Sequence, residues 1–304
     1  MLDALTLLTI DIGIDPEIRQ IGGLTLTWHG VFTALGIAAG VFLAVIIGRR
    51  KGFTEDDVYS VALVAIPGGI IGARALYVVE RWSVFSNDWV DMFRVNEGGI
   101  SIYGAILGGV AAALVYIWFK KFPVYRALDG AAPAILLGLA IGRIGDLING
   151  EHFAKLSDLP WAVRYTNLNS PSVSNHPIQE CTLLTVGQDL CTQHPAVAYE
   201  MIGDLLVVGL LLVMLRFVVK REGVVFFSFV LLYSLLRFCT SELRLDSREI
   251  IAGLTTPEVT ALFLIPMSVV GLLYCWQWPR GAEAEVEPAT PPPQPAPTAR
   301  GAGG

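Results

Sequence analysis

Apolar runs of about 20 residues recur along this chain, and no other feature constrains its fold as strongly. Trp28–Gly48, Val58–Val79, Ser101–Trp118, Gly130–Ile148, Val197–Val219, Val224–Ser241 and Glu258–Trp276 each approach the length an α-helix needs to cross a hydrocarbon core about 30 Å thick. A soluble protein would have to hide seven such segments in one core. It would also need a charged surface of about 25% of its residues, whereas here 16% of 304 residues are charged and 54% are hydrophobic. The expected fold class is all-α. The chain reads as a polytopic membrane protein of seven transmembrane helices, with a small external cap between spans four and five.

The basic residues set the expected orientation. Arg49, Arg50 and Lys51 follow the first span, Lys120, Lys121 and Arg126 the third, Arg216, Lys220 and Arg221 the fifth, and Arg280 the seventh. With seven spans all four clusters fall on one side, which should be cytoplasmic; six or eight spans would scramble them. Residues 1–27 then form an external N-terminal segment, residues 28–280 the membrane domain, and residues 151–195 an external cap. Residues 281–304 read as a disordered cytoplasmic tail, being rich in Pro, Ala and Gly. No basic region precedes a cleavable apolar stretch, so the first span is expected to direct insertion itself. The net charge of -6 owes part to tail acids (Glu283, Glu285, Glu287), and no basic tract suggests nucleic acid.

Charged residues inside spans are costly and usually face the bundle interior or water. Four stand out: Arg74, Arg143, Glu200 and Arg237. Arg74 follows Pro67-Gly68-Gly69 and Gly72, small residues that let another helix approach closely. Arg143 and Asp146 lie one turn apart near the outer end of span four. Arg237 and Arg244 are seven residues apart, which on a continuous helix places both on one face. One such arginine would simply pair with Asp146, Glu200 or a carbonyl. Several converging on one membrane surface point instead to a phosphate ligand, because a guanidinium is permanently charged and matches phosphate oxygens bidentately. An anionic phospholipid headgroup lies at that depth.

The segment Glu97-Gly98-Gly99-Ile100-Ser101-Ile102-Tyr103-Gly104 enters span three from outside, and its glycines permit tight turns. Ser101, Tyr103 and His29 would stand at the mouth of the bundle, where Tyr and His also serve as interfacial anchors. Cys181 and Cys191 lie in the long polar loop and either pair, if that compartment is oxidising, or remain two unrelated thiols. No HExxH or Cys/His cluster suggests zinc, no Walker-type loop suggests a nucleotide, and span seven holds no lysine for a retinal Schiff base. A Ser101–His29 hydrolase dyad has only weak support.

Five segments, taken in order from Asp15 to Trp276, resemble the bacterial prolipoprotein diacylglyceryl transferase family. They are Asp15-Pro16 … Ile21-Gly22 … Trp28-His29-Gly30; Phe93-Arg94 with Glu97-Gly98-Gly99-Ile100-Ser101; Gly142-Arg143-Ile144-Gly145-Asp146-Leu147-Ile148-Asn149-Gly150-Glu151; His194-Pro195 with Tyr199-Glu200; and Tyr233 … Arg237 … Arg244-Leu245-Asp246. The resemblance implies a plasma-membrane transferase with its site on the external side. That enzyme moves the diacylglyceryl group of phosphatidylglycerol to the lipobox cysteine of a prolipoprotein signal peptide and releases glycerol phosphate. No metal or cofactor is implied.

By the same resemblance Arg143 and Arg237 bind phosphate and stabilise the leaving group. Asn149 and Glu151 orient the headgroup or Arg143, with Gly98, Gly99, Ser101 and Arg74 around the substrate. Glu200 and Arg244 are ion-pair partners, Arg244 also standing near the lipid exit. This chain departs from the family pattern at several places. Tyr103 stands where a histidine implicated in catalysis is common, His29 where tyrosine is common, Asp146 where asparagine is usual, and Ala154 where glycine ends the signature. Ser241 replaces a glutamate, and Glu242 follows it. Thiol activation is therefore open between Tyr103, His29 and no protein base at all. The rival functions are a non-catalytic transporter or binder of anionic lipid, and a membrane scaffold. A transporter should show paired repeats, and no convincing repeat is found.

Overall fold

A computed structural model describes residues 9–22, 24–86, 89–93, 99, 101–178, 191–218, 221–247 and 249–277. Gly98, Cys181, Lys220, Arg280 and the tail from Gly281 lie outside the described residues. Seven helices are long and apolar enough to cross a membrane: α1 (Trp28–Arg50), α2 (Glu55–Glu80), α3 (Ile102–Phe119), α4 (Val124–Asn149), α5 (Ala196–Val213, continuing as π-helix through Val218), α6 (Val224–Ser241) and α7 (Thr256–Gln277). The chain is a multi-span membrane protein of the all-α class.

Helix ends follow local chemistry that hydropathy alone does not register. The apolar run suggested a second span from Val58, yet α2 begins at Glu55. There Thr54 and Asp57 form a capping box, with Glu55 and Asp56 also in the first turn. The fourth span was expected from Gly130, and α4 begins six residues earlier. Its polar first turns are satisfied by the next elements: Arg126 pairs with Glu222 at 2.5 Å, and Asp129 accepts from Gly223 N and Phe226 N, both at 2.8 Å. A buried carboxylate of α4 thereby caps the start of α6. At the other end, Gly150 closes α4 in a left-handed conformation at φ 71°.

Helices in lipid are held together by close packing rather than by the hydrophobic effect. The antiparallel pairs α1/α4 and α2/α3 meet through small residues. A Cβ added at Gly72 would lie 2.8 Å from Gly108 Cα and closer still to the Gly104 carbonyl oxygen. The approach that Gly68, Gly69 and Gly72 suggested is made by α3, through Gly104 and Gly108. Between α4, α5 and α6 the core is Leu136, Val208, Leu211 and Val225, with Phe229 and Tyr233 packed against it.

Outside the spans the structure adds three two-stranded sheets that the sequence reading did not anticipate. Strands β1 (Ile10–Ile12) and β4 (Val163–Tyr165) pair in parallel, β2 (Glu17–Ile21) and β3 (Leu24–Thr27) form a hairpin, and β5 (Glu249–Ile251) with β6 (Leu254–Thr255) forms another. The β1/β4 pair ties the N-terminal segment to the segment after α4. Arg164 donates to both oxygens of Asp11 at 2.7 and 2.8 Å, and its hydrogen bond lowers the Asp11 pKa. Ile12, Val163, Tyr165 and Val173 bury a small apolar cluster against Leu147 of α4. Cys191 is disulfide-bonded, whereas Cys239 and Cys275 form no disulfide.

Candidate active site

Antiparallel packing brings the start of α1, the end of α4, the start of α5 and the end of α6 to one end of the bundle. Glu200, on α5, is the hub there and is 1% exposed. It receives Arg143 Nη2 from α4 at 2.8 Å, Arg244 Nη1 at 3.1 Å, and Arg237 Nη1 from α6 in a shorter contact. Three guanidiniums from three segments therefore share one buried carboxylate. An isolated charge in such a place would be prohibitively costly, and pairing is what permits it.

The three arginines differ in what they have left to offer. Arg244 spends every donor group inside the protein: Nε and Nη2 on Asp246 at 2.9 and 2.5 Å, Nη1 on Glu200, and Nη2 also against His152. Burial acts against its charge, but Asp246 and Glu200 raise its pKa above the usual arginine value. Arg237 is joined to Glu200 through Nη1, so its Nε–H and Nη2–H groups remain uncommitted among the described residues. Arg143 uses Nη1 on Asp146 at 3.0 Å and Nη2 on Glu200, leaving Nε–H. Arg143 and Arg237 thus keep donors for an anionic ligand.

Arg237 and Arg244 do come together, on Glu200, but not through a shared helical face. α6 ends at Ser241, and Arg244 is not on it. The chain turns, with Arg244 N donating to Ser241 O at 3.0 Å, and residue 244 bridges to Ala154 in the segment after α4. That bridge returns the Arg244 side chain to Glu200. Glu242 faces outward, 3.8 Å from Lys155, and takes no part.

A second set of groups adjoins the arginines. His29, in the first turn of α1, has Nδ1 2.6 Å from Asp146 Oδ1. Asp146 Oδ2 meets Arg143 at 3.0 Å and His152 Nε2 at 3.4 Å, and His152 Nδ1 lies 3.0 Å from Asp246 Oδ2. Burial works to lower His152, yet its hydrogen bonds with Asp146 and Asp246 raise its pKa. Burial also works to raise Asp246, and His152 and Arg244 hold its carboxyl below the ordinary range. His152 and Asp204 escaped the sequence reading. A histidine just beyond a helix whose last turn carries Asp146, and an aspartate one turn after Glu200, were the available signals. Both carboxylate oxygens of the buried Asp204 lack a hydrogen-bond partner among the described residues, while Arg143 and Arg237 act on it electrostatically.

Not every expected residue joins this centre. Arg74 donates to the carbonyls of Met92 (2.9 Å), Gly99 (2.8 Å) and Asp91 (2.6 Å), and so organises the segment between α2 and α3. Gly99 sits at φ 78° against the Tyr77 ring, where a Cβ would clash. Ser101 Oγ donates to Glu80 at 3.2 Å, so Ser101 and His29 have different partners. Tyr103 lies in the first turn of α3 and is partly buried. Asn149 ends α4, its carbonyl accepting from Ser170 Oγ at 3.4 Å.

His29, Asp146 and Glu151 place ligand atoms within 4.8 Å of one another, the one metal-compatible group among the described residues. Asp146 already serves Arg143 and both histidines, and the guanidinium 3.0 Å away opposes a second cation. The group is better suited to handling protons.

The family profile described as prolipoprotein diacylglyceryl transferase matches residues 16–276. Proteins named phosphatidylglycerol–prolipoprotein diacylglyceryl transferase are similar over most of their length. The one from Halalkalibacterium halodurans is 32% identical over 94% of this chain and 93% of its own. That from Clostridium kluyveri is 33% identical over 86% and 96%, and that from Acaryochloris marina 31% over 86% and 90%. The chain therefore belongs to the prolipoprotein diacylglyceryl transferase family.

Proposed function

We propose that this protein transfers the diacylglyceryl group of phosphatidylglycerol to the lipobox cysteine thiol of a prolipoprotein signal peptide. The sulfur attacks the glyceryl carbon that bears the phosphate, a C–S bond forms, and the C–O bond breaks with its electron pair left on the phosphate. Glycerol phosphate departs. The observation that carries this reading is the convergence of Arg143, Arg237 and Arg244 on Glu200. It is supported by the names of the relatives.

In this reaction the uncommitted donors of Arg143 and Arg237 grip the phosphodiester and meet the charge that develops on the leaving oxygen. Such preorganised donors act most strongly where charge appears in the transition state. Arg244 holds Glu200 in place, and Asn149 and Glu151 border the headgroup. Gly99, Ser101 and Arg74 belong to the entrance on the α2/α3 side. The nucleophile arrives with the substrate, so the protein's own thiols have no part in the chemistry.

The arginine end faces the outside of a bacterial plasma membrane, with the N-terminus and residues 151–195 on that side. The tail and C-terminus lie in the cytoplasm. This orientation follows from Arg49, Arg50, Lys51, Lys120 and Lys121 at the opposite end. Incubating the purified protein with labelled phosphatidylglycerol and a lipobox peptide tests the reading. Thioether peptide and free glycerol phosphate support it; lipid binding without product refutes it in favour of a binder or transporter.

A further inference from the structure

We infer that in this chain His29 accepts the thiol proton, held in register by Asp146 with His152 behind it, as a His–Asp–His relay at the edge of the arginine pocket. The inference rests on the proposed transferase reading and names the group that activates its nucleophile.

A thiol of pKa about 8.5 is mostly protonated at neutral pH and must be ionised to attack. Arginines cannot take the proton. Glu200 and Asp246 are each bound to guanidinium groups. Tyr165 donates its hydroxyl to the Leu147 carbonyl at 2.8 Å, and burial raises its pKa further. His152 has both ring nitrogens among Asp146, Asp246 and Arg244. His29 differs from all of these. Its Nδ1 is taken by Asp146 at 2.6 Å, and its side chain is 46% exposed.

A carboxylate that receives Nδ1–H selects the tautomer whose Nε2 lone pair faces away from it. That nitrogen is then the acceptor for a substrate proton. Asp146 is itself fixed on its other oxygen by Arg143 and His152, so Oδ1 stays on His29. The backbone reinforces the geometry. Gly145 lies so close to α1 that an added Cβ would stand 2.7 Å from His29 Cα, and the absence of a side chain there lets the two helices bring His29 and Asp146 together. Because Asp146 also holds Arg143, the proton acceptor and the phosphate grip share one carboxylate. In the step the S–H proton moves to His29 Nε2 as the C–S bond forms and the C–O bond to phosphate breaks. His29 then releases the proton to water or to the departing phosphate.

The groups facing His29 are Asp146 and, through it, Arg143 on α4, with Glu151 and His152 in the segment beyond. The test is the pH dependence of kcat for thioether formation, with phosphatidylglycerol binding measured in parallel. Wild type should gain activity through an acid limb as His29 loses its proton. His29→Gln should bind the lipid normally, lose the limb, and fall about 100-fold at neutral pH, recovering as pH nears the thiol pKa. Asp146→Asn, nearly the same shape, should move the limb to lower pH because the carboxylate that favours the imidazolium is gone. Wild-type kcat and limb in His29→Gln overturn the relay. If His29→Gln does not fold, an unmoved limb in Asp146→Asn overturns it instead. A wild-type protein that makes no thioether at any pH refutes the transferase reading itself.

Discussion

Arg143 of α4 and Glu200 of α5 meet at 2.8 Å, about a carboxylate that is 1% exposed. Through this contact, helices whose apolar core is built on Leu136, Val208 and Leu211 are joined at one end. The same contact, with the one to Asp146, occupies both Nη atoms of Arg143 and leaves its Nε–H. On the proposed reading, stability and lipid binding depend on shared groups, and substitutions separate them by which donors each arginine has left.

Arg244 has committed all its donor groups, so its loss is a stability defect first. Arg244→Ala removes partners from Glu200 and Asp246 and leaves both less compensated. Breaking a buried pair on one side costs about 3–5 kcal/mol. The midpoint of thermal unfolding in detergent should drop sharply. Arg237→Lys should fold, because a lysine still neutralises Glu200, yet lose transfer by about 10²- to 10³-fold through the missing planar donors. Equal effects of the two substitutions on the unfolding midpoint would contradict this division.

His152 makes stability depend on pH in a defined direction. Its folded pKa is raised above the unfolded value of about 6.5. Its contribution is therefore full below that value and is lost as pH rises through the folded value. The gap in unfolding midpoint between wild type and His152→Gln should be widest in mild acid and should shrink as pH climbs past neutrality. A gap that grows with pH would reverse the assignment.

Asp129 spans from α4 to the first turn of α6 and is the cap that α6 lacks in its own sequence, where Gly223 occupies the capping position. Asp129→Ala should lower stability by about 1–2 kcal/mol, read from thermal unfolding. Asp129→Asn should lower it less, because its amide oxygen still accepts one of the two hydrogen bonds.

Seven spans, their order and nearly all their ends were legible because a hydrocarbon core imposes length and apolarity on every segment that crosses it. Arg143 with Asp146 was legible for a similar reason: a fixed helical rise puts residues one turn apart together. What hydropathy missed depends on contacts between distant segments. α4 starts at Val124 because Asp129 and Arg126 find partners around α6, one hundred residues away in rough terms. Arg244 reaches Glu200 through a bridge to Ala154, and no helical wheel encodes that bridge. His152 and Asp204 gain their setting only when α4, α5 and α6 meet. Arg74 illustrates the opposite case, for a charged residue within a span reads as a ligand-binding candidate, yet its donors serve the carbonyls of Asp91, Met92 and Gly99.

The close approach of α2 and α3 yields a further expectation. Gly72→Leu would drive a side chain into Gly104 and Gly108, where backbone blocks it. The variant should fail to accumulate as folded protein in the membrane, whereas Ile71→Leu, on an exposed face of the same helix, should accumulate normally. Equal yields would show that the two helices can separate without cost.

Mass-spectrometric detection of the thioether on a lipobox peptide, in membranes that contain phosphatidylglycerol and either wild type, Arg143→Ala or Arg237→Ala, tests the central claim most directly. Wild type should convert the peptide and release glycerol phosphate, and each alanine variant, once shown to be folded, should lose at least about 10²-fold. Full conversion by folded Arg143→Ala and Arg237→Ala would mean that the phosphodiester is held elsewhere, and the account given for this pocket would be wrong.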